Sequence, residues 1–413
     1  MKIGLYTLTS PLHDEAAVNA ASAEFLAQIE AALDMSFDNK GQDFTDYGTH
    51  DLDLIYVRTG GTEGIFKKIM ANIEGPVRIL TSGKSNSLAA SMEILSYLNL
   101  QGRTGEIIHG SIRYVADRIR ILAKAAEARK KLNGSRLGII GVPSDWLISS
   151  VADRPAYAEK LGMMLVDIPI NDIVTEYKKA DAGELSEEAQ KARAEFEAKA
   201  PEHLKQYADG AFRIYKALKS IIRRHNLSGL TVRCFDLLDS IGNTGCLALA
   251  ILNAEGIPAG CEGDVPTLVT MAIGNALTGI SGFQANPSRI DPETGEMLLA
   301  HCTIPLNMVR QYGFDTHFES GIGVAIRGEM PLGDATIFKI SGDLTRHFIC
   351  EAELMENLCE KSLCRTQGLF RINGNGAERK AVCSEYFLKN PIGNHHVVFP
   401  GCHKELFETF CQF

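Results

Sequence analysis

Stretches that read as β-strand and stretches that read as helix alternate from the amino terminus, and this alternation restricts the fold more than any other feature. "KIGLYTL" precedes an amphipathic run from about Glu15 to Leu33, "LDLIYV" leads into "RTGGTEGIFKKIMANI", and "VRILTS" leads into "GKSNSLAASMEILSYL". Apolar strands joined through helices pair in parallel, with the crossover helices covering both faces of the sheet. A helix from about Ser111 to Leu132 then ends at "NGS", which places a first domain boundary near Gly134.

The pattern restarts with "RLGIIGV" and continues through "GMMLVDIPI", "GLTVRCF" and "IPAGCE". Between them, the span from about Glu184 to Arg224 is rich in Ala, Glu and Lys. It reads as helix charged on most faces, hence a solvated crossover or an oligomer contact. After about Gly282 the texture changes to short strands split by Gly, Pro, Asp and Asn, as in "FQANPSRID", "EMLLAHCTIP", "ATIFKISGD" and "HHVVFPG". That suits a β-rich barrel or Greek-key domain. The expected class is therefore α/β: an N-terminal α/β domain over 1–134, a second α/β domain carrying the catalytic acid over 135–282, and a β-rich C-terminal domain over 283–413.

A chain of 413 residues is too long for one ordinary core. A net charge of −9 and the lack of a basic run argue against nucleic acid or anionic lipid as a partner. The start reads as a first strand, not a secretion signal, and no apolar run is long enough to span a bilayer. Ten cysteines lie scattered without a CxxC pair, which fits buried thiols in a reducing cytoplasm better than disulfides or a zinc site built from Cys359 and Cys364.

The segment "CEGDVPTLVTMAIGNALTG" carries the strongest chemical signal. Asp264 can cap a helix, Pro266 suits its first turn, and Gly279 is a usual stop. Glu262 then sits at the carboxyl end of a strand, where open α/β sheets bind ligands. An acid there can ligate a metal or move a proton. Two phosphate signals fail: "TSGKSN" has Arg78 where a P-loop needs glycine, and "GIIGVPSDW" lacks the dinucleotide spacing. Thr59 and Glu63 in "RTGGTE" either touch a polar ligand or merely flank a glycine turn. Asn86, at a helix start, either caps it or meets sugar hydroxyls. Trp146, the sole tryptophan, either packs or stacks on a sugar ring. His301 reads as a core histidine or a ligand. His395 and His396 are adjacent on a strand, so they point to opposite faces and at most one serves a given site.

Together, "TGGTE", "SNSLAASMEIL", "PSDWLISS", "GCEGDVPTLVTMAIGNALTG", "ANPSRID", "LAHCTIP" and "GNHHVV" resemble the L-fucose/L-arabinose isomerase superfamily, in its shorter fucose isomerase-like branch. The resemblance implies two Rossmann-like doubly wound domains followed by a β-barrel-type domain. It also implies a divalent metal, usually manganese, and aldose–ketose interconversion of a small sugar by a homo-oligomer, trimeric or hexameric. Glu262 matches the family's first catalytic acid and metal ligand, His395 its carboxy-terminal metal histidine, and His301 the additional metal histidine of arabinose isomerases. Trp146, Thr59, Glu63, Asn86 and Asn394 would contact substrate.

One departure stands out. Asn286 occupies the place of the second acid; its amide oxygen can bind a hard cation but cannot shuttle a proton. Either Glu262 alone serves both carbons, or Asp264, Glu319 or Asp343 substitutes. The implied sugars include fucose, arabinose, other deoxy sugars and sulfo- or phospho-sugars, since the branch has members acting on sulfoquinovose. Lys84 or Arg58 would meet an anionic end. A non-catalytic sugar-binding or regulatory protein, or an epimerase or lyase on the same scaffold, are the competing expectations.

Overall fold

A computed structural model describes residues 1–180 and 184–412. The chain forms two compact units, Met1–Lys130 together with the last residues from Glu408, and Lys131–Phe407.

The first unit is built on β1 (Ile3–Leu8), β2 (Asp38–Gly41), β3 (Leu52–Val57), β4 (Val77–Leu80) and β5 (Gly105–Ile108), all parallel in the order β2-β1-β3-β4-β5. Helices α1 (Glu15–Leu33), α2 (Glu63–Ile69), α3 (Ser87–Leu100) and α4 (Ile112–Leu132) cover it. Alternation along the strands sorts the core into two layers. Leu5, Leu54 and Tyr56 pack with Ile29 and Leu33 of α1 and Ile119 of α4, while Leu8, Ile55 and Val57 pack with Phe66 of α2 and Ile94 of α3. The edge strand β2, "DNKG", has no buried residue, so no apolar pattern announces it.

The second unit holds another parallel sheet, from β6 (Arg136–Ile140), β7 (Met164–Ile168), β8 (Gly229–Val232) and β9 (Ala259–Cys261), in the order β7-β6-β8-β9. Its helices are α5 (Arg154–Leu161), α6 (Ile170–Lys179), α7 (Glu187–Lys199), α8 (Lys205–His225), α9 (Asp236–Ile241), α10 (Cys246–Ala254) and α11 (Val265–Thr278). β10 (Phe283–Asp291), β11 (Glu296–His301), β14 (Gly333–Ile340), β15 (His347–Asn357), β16 (Thr366–Ile372) and β17 (His396–Pro400) close an antiparallel barrel in the order β10-β11-β16-β15-β14-β17, and β12 (Gln311–Asp315) pairs separately with β13 (Ala325–Glu329). The α/β class with a closed C-terminal barrel is thus the one read from the sequence. No helix among the described residues is long and apolar enough to cross a membrane.

One reading needs correction. The span after Glu184 is helical but not charged all round: α8 buries Ala211, Ile214, Tyr215, Leu218, Ile221 and Ile222, and α7 buries Ala189, Ala192 and Phe196. Those positions recur at the three- and four-residue spacing of one helix face. A composition dominated by Ala, Glu and Lys hides that stripe, and both helices belong to the core.

Candidate active site and metal centre

The site begins where β9 ends. Glu262 and Gly263 both take left-handed backbone, with φ of 65° and 72°, and swing the chain from strand into α11. For a glutamate this conformation costs about 1–2 kcal/mol, a strain that surrounding structure must hold in place. It is held by hydrogen bonds from Ser144 N to Glu262 O at 2.9 Å and from Gly263 N to Val232 O at 3.0 Å. Only glycine fits at 263, because a Cβ there would lie 2.7 Å from the Val142 carbonyl oxygen. Asp264 caps α11, accepting from Thr267 N at 2.9 Å, with Pro266 in the first turn and Gly279 left-handed at the end.

Barrel register supplies the other groups. β17, β10 and β11 are neighbours, with Ala285 opposite His396 and Asn286 opposite Ala300. His395, Asn286 and His301 each lie one residue from, or at, those paired positions: His395 just before β17, His301 at the end of β11 and Asn286 within β10 between them. Cys261 N donates to Gln284 Oε1 at 2.9 Å, which ties β10 to the end of β9.

Glu262 Oε1 lies 3.5 Å from His395 Nε2 and 3.7 Å from His301 Nε2. The three residues are buried and each offers a donor atom within 4.8 Å of the others. His301 Nδ1 and His395 Nε2 have no hydrogen-bond partner among the described residues. The second Glu262 oxygen accepts the indole N–H of Trp146 at 2.6 Å. On its far side, His395 Nδ1 meets Asp264 Oδ2 at 2.8 Å. A carboxylate and two imidazoles, one oriented through its second nitrogen by another carboxylate, is a donor set suited to a divalent metal. The orphaned His395 Nε2, which faces Glu262 Oε1, fits such an ion.

Electrostatics follow from this packing. Burial opposes the Glu262 charge, but the neighbouring His301 and His395 imidazoles override it and hold the carboxyl well below the ordinary range. Burial likewise opposes Asp264, and Lys339 and His395 hold it low. For His395, burial is outweighed by Asp264 and Glu262, which raise it to about 9. Burial lowers His301, against the pull of Glu262. It also takes His317 down to about 4 and His396 to about 3.

These shifts set the pH response of the metal-free protein. The raised group, His395, contributes stability that is full below the ordinary imidazole value of 6.5 and lost as pH rises through about 9. The lowered histidines act oppositely: below 6.5 the unfolded chain binds protons that the folded chain refuses. Thermal unfolding without metal should therefore show Tm highest near pH 6.5 and falling on both sides; a steady rise toward pH 9 would contradict these assignments.

The remaining expected residues divide between the two units. Trp146 is half exposed and packs edge-on against Phe235 at 4.8 Å. Its hydrogen bond to Glu262 was not foreseen, since nothing local links residues 116 positions apart. Asn394 Nδ2 donates to Asn286 Oδ1 at 3.1 Å, immediately before His395. His396 turns the other way, as the strand alternation requires, and meets the Tyr386 hydroxyl at 2.8 Å. Of the acids weighed as replacements, Asp264 backs His395, and Asp343 is held at about 2 by hydrogen bonds within its own turn to Ser341 and Thr345. Glu319 is raised, by burial and then by the charge of Glu262, and stands 3.8 Å from His317 Nε2. His317, which stacks edge-on against Phe235 at 5.3 Å, was missed because its loop has no periodic pattern.

Thr59, Glu63 and Asn86 belong to the first unit. Thr59 is buried and its hydroxyl accepts from Ser10 N at 2.9 Å. Glu63 opens α2, and Asn86 is exposed with left-handed backbone ahead of α3. Arg58 and Lys84 line one cavity of about 220 Å³ with His13, Ser22 and Ser82.

No protein-family model matches the chain. A protein named sulfoquinovose isomerase from Clostridium sp. (strain MSTE9) is 26% identical over 241 residues, 55% of this chain and 52% of that protein. One of the same name from Alkalicoccus urumqiensis is 22% identical over 272 residues, 63% of this chain and 58% of that protein. The chain spans little more than half the length of these curated relatives. It is similar, at low identity, to proteins that carry the name of a sugar isomerase.

Proposed function

We propose that this protein is a metal-dependent aldose–ketose isomerase acting on a small sugar through an enediol(ate), with Glu262 as base and metal ligand and His301 and His395 completing the metal set. The observation that carries this reading is the buried Glu262–His301–His395 group with His395 Nε2 left unpartnered. A divalent cation held there, manganese in this proposal, would polarise the sugar carbonyl and the adjoining hydroxyl.

Glu262 removes the C2 proton, the released electron pair forms the C1–C2 double bond and the C1=O pair moves onto O1; the C2 hydroxyl proton then passes to O1, C2=O forms, and the same carboxyl returns its proton to C1. No oxidant or reductant is needed. Trp146 donates to Glu262 Oε2 and so biases the reacting lone pairs toward Oε1, beside the imidazoles. Asn286 and Asn394, joined amide to amide, are proposed to bind substrate hydroxyls. With Asn286 unable to carry a proton, Glu262 serves both carbons. Glu319, whose pKa is raised by burial and then by the charge of Glu262, is proposed to assist at oxygen.

The relatives' name extends the proposal to a sulfosugar as the substrate. Asn286 is also what favours the rival, a protein that binds sugar without turnover. Incubation with sulfoquinovose, L-fucose and L-arabinose in D₂O, with Mn²⁺ and then with EDTA, separates the two by NMR. Deuterium should enter the sugar and ketose should form with Mn²⁺, cease with EDTA, and resume on adding back the metal. Exchange that persists in EDTA, or binding with no exchange for any sugar, would defeat the proposal.

A further inference from the structure

We propose that Lys339, sealed inside the barrel, is a positioning residue for the metal centre: it clamps Asp264, and Asp264 holds the His395 ring with Nε2 toward Glu262. This inference rests on the metal reading above and assigns a role to a residue outside the proposed ligand set.

Lys339 lies on β14 and is 1% exposed, so its ammonium is a desolvated charge that needs a reason to be there. Its Nζ donates to Thr267 Oγ1 at 2.6 Å and lies 3.8 Å from Asp264 Oδ2. Asp264 is itself fully buried, with Oδ1 bound to Thr267 N and Oδ2 to His395 Nδ1 at 2.8 Å. Ser150 Oγ, at 3.5 Å, is the other neighbour of Oδ2. The line Lys339, Asp264, His395, Glu262 therefore runs from the barrel wall to the carboxylate at the end of β9 without a solvent-exposed member.

A buried ion pair is weak support for stability, because apolar residues of the same volume usually do as well. What such a pair does supply is direction. The ammonium engages Thr267 directly and faces Asp264 from the barrel side, so the carboxylate is fixed between the α11 amino terminus and the His395 ring. Outer groups of this kind change metal affinity by about 10–100-fold when removed. A purely structural lysine predicts a different result: lost stability with unchanged affinity.

The test uses the metal-free full chain titrated with Mn²⁺ alone, free ion being counted by EPR, in the wild type, Lys339→Met, Asp264→Asn and the double variant. Lys339→Met should weaken Mn²⁺ binding by about 10–100-fold. Because the lysine acts through Asp264, the double variant should bind no more weakly than Asp264→Asn alone. That pairing removes both charges and so keeps the test alive if Lys339→Met misfolds. Wild-type affinity in Lys339→Met, or additive losses in the double variant, would overturn the assignment. A readout independent of metal is the His395 Nδ1–H proton, whose hydrogen bond to a buried carboxylate puts its resonance downfield of the amides. It should shift or broaden in Lys339→Met. Should the wild type bind no Mn²⁺, the metal reading fails, and this resonance alone decides the positioning role: moved, it stands; unmoved, it falls.

Discussion

Glu262→Gln should lower kcat for aldose–ketose exchange by about 10²–10⁴-fold, the span a general base contributes, while leaving the fold intact. The substitution keeps the side chain's shape and the oxygen that accepts from the Trp146 indole. It removes the charge that holds two buried imidazoles together and the lone pairs that would take the C2 proton. The strained backbone at φ 65° is indifferent to the change, so circular dichroism and Tm should shift little beyond the loss of the His395 interaction. Full activity in this variant would end the assignment of Glu262 as base. Loss of activity together with loss of folded structure would instead show that the carboxylate holds the turn.

The largest stability effect is expected at Gly274, in the middle of α11. Helix propensity alone predicts that Gly274→Ala stabilises the protein by about 0.5–1 kcal/mol. Packing predicts the reverse, because the added Cβ would meet Phe399 Cζ at 2.0 Å. Phe399 is fully buried and packs against Phe407 at 5.2 Å, so the ring cannot swing clear. Overpacking of this kind costs about 1–3 kcal/mol, enough to outweigh the propensity gain. Thermal unfolding should show Tm lowered by several degrees, with partial recovery in Gly274→Ala/Phe399→Leu, where the shortened side chain makes room. An unchanged or raised Tm would mean that α11 and the barrel are less tightly joined than these distances require.

The elements most legible in the sequence were those whose signal is local. The β9–turn–α11 unit was readable because its cap, its first-turn proline and its terminal glycine lie within one short segment. The opposite faces of His395 and His396 followed from strand alternation, and their separate partners, Asp264 and Tyr386, bear it out. β2 and the loop carrying His317 were not readable, since neither has a periodic apolar pattern. The buried stripe of α8 was present in the sequence but masked by its charged neighbours.

The sequence by itself determined the element types, the α/β class and the residue kinds offered for chemistry, because hydrophobic period and capping act over a few residues. Only the tertiary structure decided which of those residues meet. Barrel closure and register bring His301 and His395 to Glu262, and put Trp146 on one side of that carboxylate and Asp264 with Lys339 behind the imidazole. Such encounters join positions 39 to 133 residues apart, and they depend on strand pairing and core packing that no local pattern encodes.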